Sequence, residues 1–141
     1  MGSHLLSKSS FIRGVQCEKH LYLYKYHYKE MDQLSDMQKA IFKRGTDVGK
    51  LAQQLFPGGI DASPESQFEY DKAVVVTKNL LNEKQKVIYE ASFSSSDVLA
   101  IADIVVNEKS GLKVFEVKSS TSISETYIRD AALQYWVISN C

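Results

Sequence analysis

Asp103, Glu116 and Lys118 interrupt two runs of β-branched and aromatic residues, in the stretch ADIVVNEKSGLKVFEVKSS that spans 102–120. Two such runs around a polar turn predict a hairpin. Whether the turn is centred on Lys109 and Ser110 or is a loop from Glu108 to Gly111, one register results, with Asp103 opposite Glu116 and Ile101 opposite Lys118. Strict alternation then places Ile101, Asp103, Val105, Val114, Glu116 and Lys118 on one face, and Ala102, Ile104, Val106, Phe115 and Val117 on the other. Both faces are largely apolar, so helices are expected to cover the sheet on each side.

Directly opposed carboxylates have Cβ atoms about 5 Å apart and repel by roughly 3 kcal/mol at an effective dielectric near 20, whereas a favourable cross-strand pair contributes only about 0.2–1 kcal/mol. Something must compensate. One acid is protonated, or Lys118 lies between the two, or a divalent cation binds both, and the residues alone leave these open. Hard cations such as Mg²⁺ or Mn²⁺ take carboxylate and carbonyl oxygens, which Asp103, Glu116 and the main chain at Val117 supply.

The elements that would carry this hairpin follow from period and punctuation. The serines of LSKSSFIRGVQCEKHLYLYKYHYKE can cap a helix, and Phe11, Val15 and Leu21 or Tyr22 recur at near-helical spacing, predicting one helix over Ser9–Tyr26. A second is expected over Leu34–Leu55 with Met37, Ile41, Val48, Leu51 and Leu55 turned inward, ended by FPGG. A third, over Gln67–Asn82, directs Phe68, Val75 and Leu80 or Leu81 inward. The period then shortens: Lys86–Phe93, Val98–Val106 and Leu112–Lys118 predict a three-stranded, mainly antiparallel meander. Ser122 and Glu125 match a capping box opening a last helix to about Ser139. The fold class is therefore α/β (α+β): N-terminal helices, the meander, then a helix.

Composition narrows the class. The 141 residues suit one domain over 5–141, with MGSH at 1–4 resembling a vector remnant. Seventeen basic residues balance seventeen acidic ones, so the chain lacks the overall positive charge of many nucleic-acid binders. The balance conceals an asymmetry. Residues 1–44 carry eight basic and four acidic side chains, so a polyanion would meet this part first, although a solvated helix face accounts for the excess equally well. Two cysteines, Cys17 and Cys141, give neither a disulfide framework nor a zinc pattern. No apolar run reaches membrane-span length and no secretory segment opens the chain, so a cytoplasmic location and no membrane are expected.

An acid in one strand, E-x-K in the next and then a helix bearing glutamine resembles the PD-(D/E)XK nuclease superfamily, in particular its RecB-like branch. LSKSSFIRGVQCEKHLYLYKY, FKRGTDVGKLAQQLFPGG, YEASF, ADIVV, EVKSSTS and AALQYWV resemble the successive blocks of the N-terminal nuclease-like part of a group of larger bacterial proteins. EVKSSTS with ALQYWV is fairly specific, whereas E-x-K alone is weak. The resemblance implies a metal-dependent nuclease with a restriction-endonuclease-like core, hydrolysing DNA phosphodiester bonds with Mg²⁺ or Mn²⁺. Asp103, Glu116 and the main-chain oxygen of Val117 would be ligands, Lys118 would orient water and stabilise developing charge, and Gln134 would position water or substrate. Glu90 falls in the strand before, where relatives often carry glutamate; an exposed position alternating with Val87, Tyr89 and Ala91 explains it equally.

DNA, single-stranded or at duplex ends, would then approach over Lys8, Arg13, Lys19, Lys25, Lys43 and Arg44, and Tyr22, Tyr24, Tyr26 and Tyr28 offer stacking surfaces. Their spacing of two keeps all four tyrosines from sharing one helix face. Departures matter as well. Gly49 stands where many RecB-like nucleases have a metal-binding histidine, with Asp47 nearby, and Ile138 stands where the glutamine motif ends in tyrosine. Cys17 matches the first cysteine of iron–sulfur relatives without the later group. The resembled fold continues past the glutamine helix, so the chain is expected to be a piece of a longer protein with further domains and an open sheet edge suited to self-association. The competing reading is a catalytically inactive nuclease-fold module that binds nucleic acid or a protein partner.

Overall fold

The computed structural model describes residues 6–66 and 69–141, and shows an α/β protein with a five-stranded mixed sheet. In chain order the elements are β1 (Leu6–Ser7), α1 (Lys8–Gln16), α2 (Glu18–Tyr26), α3 (Asp36–Gln53), β2 (Ile60–Asp61), α4 (Tyr70–Asn82), β3 (Val87–Ser95), β4 (Val98–Glu108), β5 (Gly111–Phe115) and α5 (Glu125–Ser139), with a short 3₁₀ turn at Tyr28–Glu30. The antiparallel β3–β4–β5 meander is present, and two short parallel strands extend it: β2 pairs with β3, and β1 with β4. Neither short strand was expected, because two residues carry no readable period.

Strand β4 organises everything near the acids. Along one edge it pairs with β3 over nearly its whole length. Its other edge is shared, with β1 opposite Val98 and Leu99 and β5 opposite Ile104 to Glu108. Between them lies a fork, and Asp103 sits in it. The β4–β5 register is the expected one, with Ile104 opposite Phe115 and Val105 opposite Val114. β5 ends at Phe115, so Glu116 and Lys118 lie beyond the ladder rather than within a strand.

The alternation expected along β4 fails at the fork. Ala102 and Val105, three apart, belong to one buried cluster with Ile88, Ala91, Phe93, Leu80 and Val137, while Ile104 and Val106 belong to another with Val87. Across the sheet Ile88 and Ala91 show the same spacing. Between them Glu90 has φ of 52°, a left-handed backbone that removes the Glu90–Asp103 pair from an otherwise continuous ladder. A local break of this kind changes which side chains face which way, as bulges do.

Covering of the sheet is also uneven. Leu80 of α4 and Val137 of α5 join the larger cluster, whereas the second is met by Ala52 of α3, by Phe56 just beyond that helix and by Val117 after β5. The FPGG turn is tied down by Tyr89, whose hydroxyl donates to the Phe56 carbonyl at 2.5 Å and accepts from the Gly59 N–H at 3.2 Å. A Cβ on Gly59 would lie 2.2 Å from the Tyr89 ring, so only glycine permits this approach.

Four helix expectations need correction. The predicted Ser9–Tyr26 helix is two helices, broken where Cys17 adopts extended backbone, and Gly14 packs against Leu21 across the bend. α3 is capped by a box of Ser35 and Gln38, yet most of its expected core stripe faces out: Met37, Leu51 and, just beyond the helix, Leu55 are 77%, 62% and 78% exposed, while Val48 is half-buried. α4 turns Ala73, Thr77 and Leu80 inward rather than Val75, and the predicted start of this helix, with Phe68, lies outside the described residues. Ser124, not Ser122, caps α5 by accepting from the Tyr127 N–H. Among the described residues no helix is long and apolar enough to cross a membrane.

Candidate active site

Four elements bring polar side chains to the fork. β4 supplies Asp103, the segment after β5 supplies Glu116 and Lys118, α5 supplies Asp130 and Gln134, and the first residue of α1 supplies Lys8. α1 begins here because β1 pairs with β4 just ahead of it, and Ser7 caps the helix by accepting from the Ser10 N–H. On α5 the i, i+4 spacing of Asp130 and Gln134 sets both on one face, next to the buried Val137.

Glu116 is the hub. Its Oε1 accepts from Lys8 Nζ at 2.8 Å and from Lys118 Nζ, and its Oε2 accepts from Gln134 Nε2 at 2.7 Å. Asp130, with its side chain 7% exposed, accepts from Lys118 Nζ at 2.9 Å and lies 3.6 Å from Lys8 Nζ. Gln134 Nε2 reaches Asp130 as well, at 3.4 Å, while Gln134 Oε1 is buried without a hydrogen-bond partner. Asp103 is held differently, its Oδ2 accepting the Val117 N–H at 2.5 Å. The Val117 N–H is therefore adjacent to Asp103.

These contacts split the acids electrostatically. Burial and the Glu116 charge push the Asp103 carboxyl above its ordinary range, against the Val117 N–H, Lys8 and Lys118. For Glu116 burial acts the same way but is outweighed by Lys8 and by hydrogen bonds from Lys118, Lys8 and Gln134, so its carboxyl lies below the ordinary range. Burial also opposes charge on Lys118, yet Glu116 and Asp130 hold its ammonium well above the usual lysine value. Glu90, half-buried, is pushed up to about 7 by burial and by the nearby Asp103 and Asp61. It is thus neither exposed nor an ordinary strand residue.

Four carboxylates, Glu90, Asp103, Glu116 and Asp130, face two ammonium groups, and both ammonium groups contact Glu116 and Asp130. Asp103 and Glu90 are left without such a partner, so burial, with the neighbouring carboxylates adding to it, raises both. All the available donors are hard oxygens, a set that suits Mg²⁺ or Mn²⁺ rather than a thiolate- or imidazole-preferring metal. Among the described residues, no three Asp, Glu, His or Cys side chains converge as a ready-made ion cage.

Of the residues expected at the site, Asp103, Glu116, Val117, Lys118, Gln134 and Glu90 all gather at or beside the fork. Lys8 and Asp130 were missed as site residues. Lys8 was read as one surface phosphate contact among six, and its contact with Glu116 spans 108 positions that no local pattern encodes. Asp130 left a usable signal, an acid one helical turn before the glutamine. Among the tyrosines, exposed Tyr22 pairs with Tyr26 at 5.0 Å and half-buried Tyr24 with Tyr28 at 5.7 Å.

Three clefts open around the fork. One of about 590 Å³ runs between β5 and α5 past Glu116 and Gln134. Lys8 lines the other two, of about 540 Å³ beside Tyr24 and Tyr28 and about 370 Å³ beside Arg13, His20 and Lys118. Comparison with models of protein families, with curated proteins and with solved structures returns no match for this chain.

Proposed function

We propose that this chain is a metal-dependent nuclease domain with a restriction-endonuclease-like core, hydrolysing DNA phosphodiester bonds. The observation that carries the reading is the meeting of Asp103 and Glu116 at the β4 fork, beside Lys118 and Gln134 and with negative charge in excess. Asp103, Glu116 and the main-chain oxygen of Val117 would hold Mg²⁺ or Mn²⁺, with the Glu90 charge nearby. A cation bound there lowers the pKa of water and offsets the charge of the scissile phosphate.

The chain's own groups supply the rest. Lys118, locked in its charged form, is a fixed donor for an attacking water or for the charge that develops on phosphate oxygens. Gln134, donating to Glu116 from its Nε2, holds that carboxylate in place beside the cleft between β5 and α5. Hydrolysis forms a bond from water oxygen to phosphorus and breaks the ester P–O bond, the water proton passing to solvent and the departing oxygen gaining one. The basic N-terminal segment and the two clefts lined by Lys8 offer a path for the strand.

The test is cleavage of single- and double-stranded DNA in Mg²⁺ or Mn²⁺. Activity is expected to fall by at least about 10³-fold in Asp103→Ala and Glu116→Ala, the scale of losing a main electrostatic stabiliser of the transition state. Cleavage unchanged in Asp103→Ala defeats the reading.

A second reading has its own support. Both Glu116 oxygens are already engaged by side-chain donors, so this can be a nuclease-like module whose lysines stand permanently in place of an ion and which binds nucleic acid or a protein partner. β5 pairs only with β4 among the described residues, and this open edge offers one route to self-association. Calorimetry separates the two readings, because an inactive module gives no divalent-ion heat that Glu116→Ala abolishes.

A further inference from the structure

We propose that Lys8 is a positioning residue that serves as the resident counter-ion of the site, and that its release couples loading of a divalent cation to capture of a nucleic-acid phosphate. The inference rests on the nuclease reading above and adds to it a residue and a linkage.

Lys8 stands where its backbone is fixed and its side chain is not. β1 is hydrogen-bonded to β4 just before it, and Ser7 caps the helix it begins. From that anchor Lys8 Nζ reaches Glu116 Oε1 at 2.8 Å and Asp130 Oδ1 at the looser distance of 3.6 Å. Lys118 shares Glu116 Oε1 but is also held by Asp130 Oδ2 at 2.9 Å. An ion arriving at Glu116 meets two ammonium groups, and Lys8 is the one with less to hold it back. Its side chain already borders both clefts on the α1 side, one beside Tyr24 and Tyr28, the other beside Arg13 and His20. Rotation of the flexible stem therefore moves the ammonium from carboxylate to cleft without moving the helix, and in the cleft its natural partner is a phosphate.

Removing the Lys8 charge must then have opposite effects on the two ligands. The ion loses a competitor and the strand loses a contact. By linkage, the ion strengthens strand binding by the same factor as the strand strengthens ion binding, and Lys8 carries part of that factor.

The experiment uses the intact chain with Lys8→Met and Lys8→Gln, which both keep a stem without charge, and Lys8→Arg, which keeps the charge. Mn²⁺ binding is measured by calorimetry, and strand binding by fluorescence anisotropy of a labelled phosphorothioate-linked single-stranded DNA that resists hydrolysis. The neutral variants are expected to bind Mn²⁺ at least about tenfold more tightly than the natural chain, with Lys8→Arg within about twofold of it. With Mn²⁺ present the neutral variants should bind the strand several-fold more weakly, and without it about equally to the natural chain.

Equal Mn²⁺ affinity in the natural chain and both neutral variants overturns the inference and leaves the nuclease reading standing. A loss of strand binding that is the same with and without Mn²⁺ also overturns it, because Lys8 would then be free before any ion arrives. Absence of Mn²⁺ binding in every protein overturns the nuclease reading together with this one.

Discussion

Helices α3 and α5 look alike in the sequence, each a polar and apolar mixture opened by a serine, but they end in opposite circumstances. α5 buries Asp130, Gln134 and Val137, whereas α3 buries no residue at all. Two of the three residues that α5 buries are polar, and the face of α3 left in solvent includes Met37, Ile41, Phe42 and Leu51. Hydrophobicity did not choose between them. α5 packs against β3 and β4 next to the fork, where Lys118 pairs with Asp130 and Glu116 accepts from Gln134 Nε2, and a buried polar atom that is satisfied costs little. α3 reaches the sheet only at its end, through Ala52 and the following Phe56. An apolar stripe creates a demand for cover but does not name what provides it.

The contrast can be broken from its polar side first. Asp130→Ala deprives Lys118 and Lys8 of a buried partner and is expected to cost about 3 kcal/mol of stability in urea unfolding, the lower end for a broken buried pair because both lysines reach solvent. Asp130→Asn should recover part of that loss by keeping an acceptor. If Asp130→Ala is as stable as the natural chain, α5 is not held by the network.

Apolar truncations sharpen the same comparison at a smaller scale. Val137→Ala is expected to cost about 2 kcal/mol and Leu51→Ala to stay within about 0.5 kcal/mol, because the first opens a cavity and the second removes atoms already in water. Comparable losses for the two would mean that α3 is covered in solution.

Glu90 gives the smallest effect and the clearest sign. Its carboxyl is raised to about 7 in the folded chain, so above its ordinary 4.5 the unfolded state releases a proton that the folded state still holds. Stability therefore falls as pH rises from about 4.5 to 7. The elevated Asp103 adds to this trend, while the lowered Glu116 contributes stability that is lost only as pH falls below its ordinary range. Thermal melting of the natural chain and of Glu90→Gln at pH values on either side of this window should differ in slope, the variant gaining about 1 kcal/mol at the alkaline end after solvent screening is allowed for. Parallel curves would place Glu90 in ordinary solvent.

Much of the site was legible because its information is local. The hairpin register is set by alternation and turn length, which act over a few residues, while the E-x-K spacing and Gln134 were singled out by the family resemblance. The same local rules gave the strand runs and nearly correct limits for α3 and α5. They misled over Ser9–Tyr26, where no pattern marked the break at Cys17, and over Ser122, where two neighbouring serines offered equivalent caps.

By itself, then, the sequence determined which side chains could do chemistry and the register of the β4–β5 pair, since backbone hydrogen bonding is periodic and short-ranged. Only the tertiary structure decided that Lys8 crosses to Glu116, that Asp130 joins them, that Glu90 takes a left-handed backbone opposite Asp103, and that α3 keeps its apolar face outside. Those outcomes depend on contacts between segments far apart in the chain, where burial and charge compensation are settled jointly by every element that arrives.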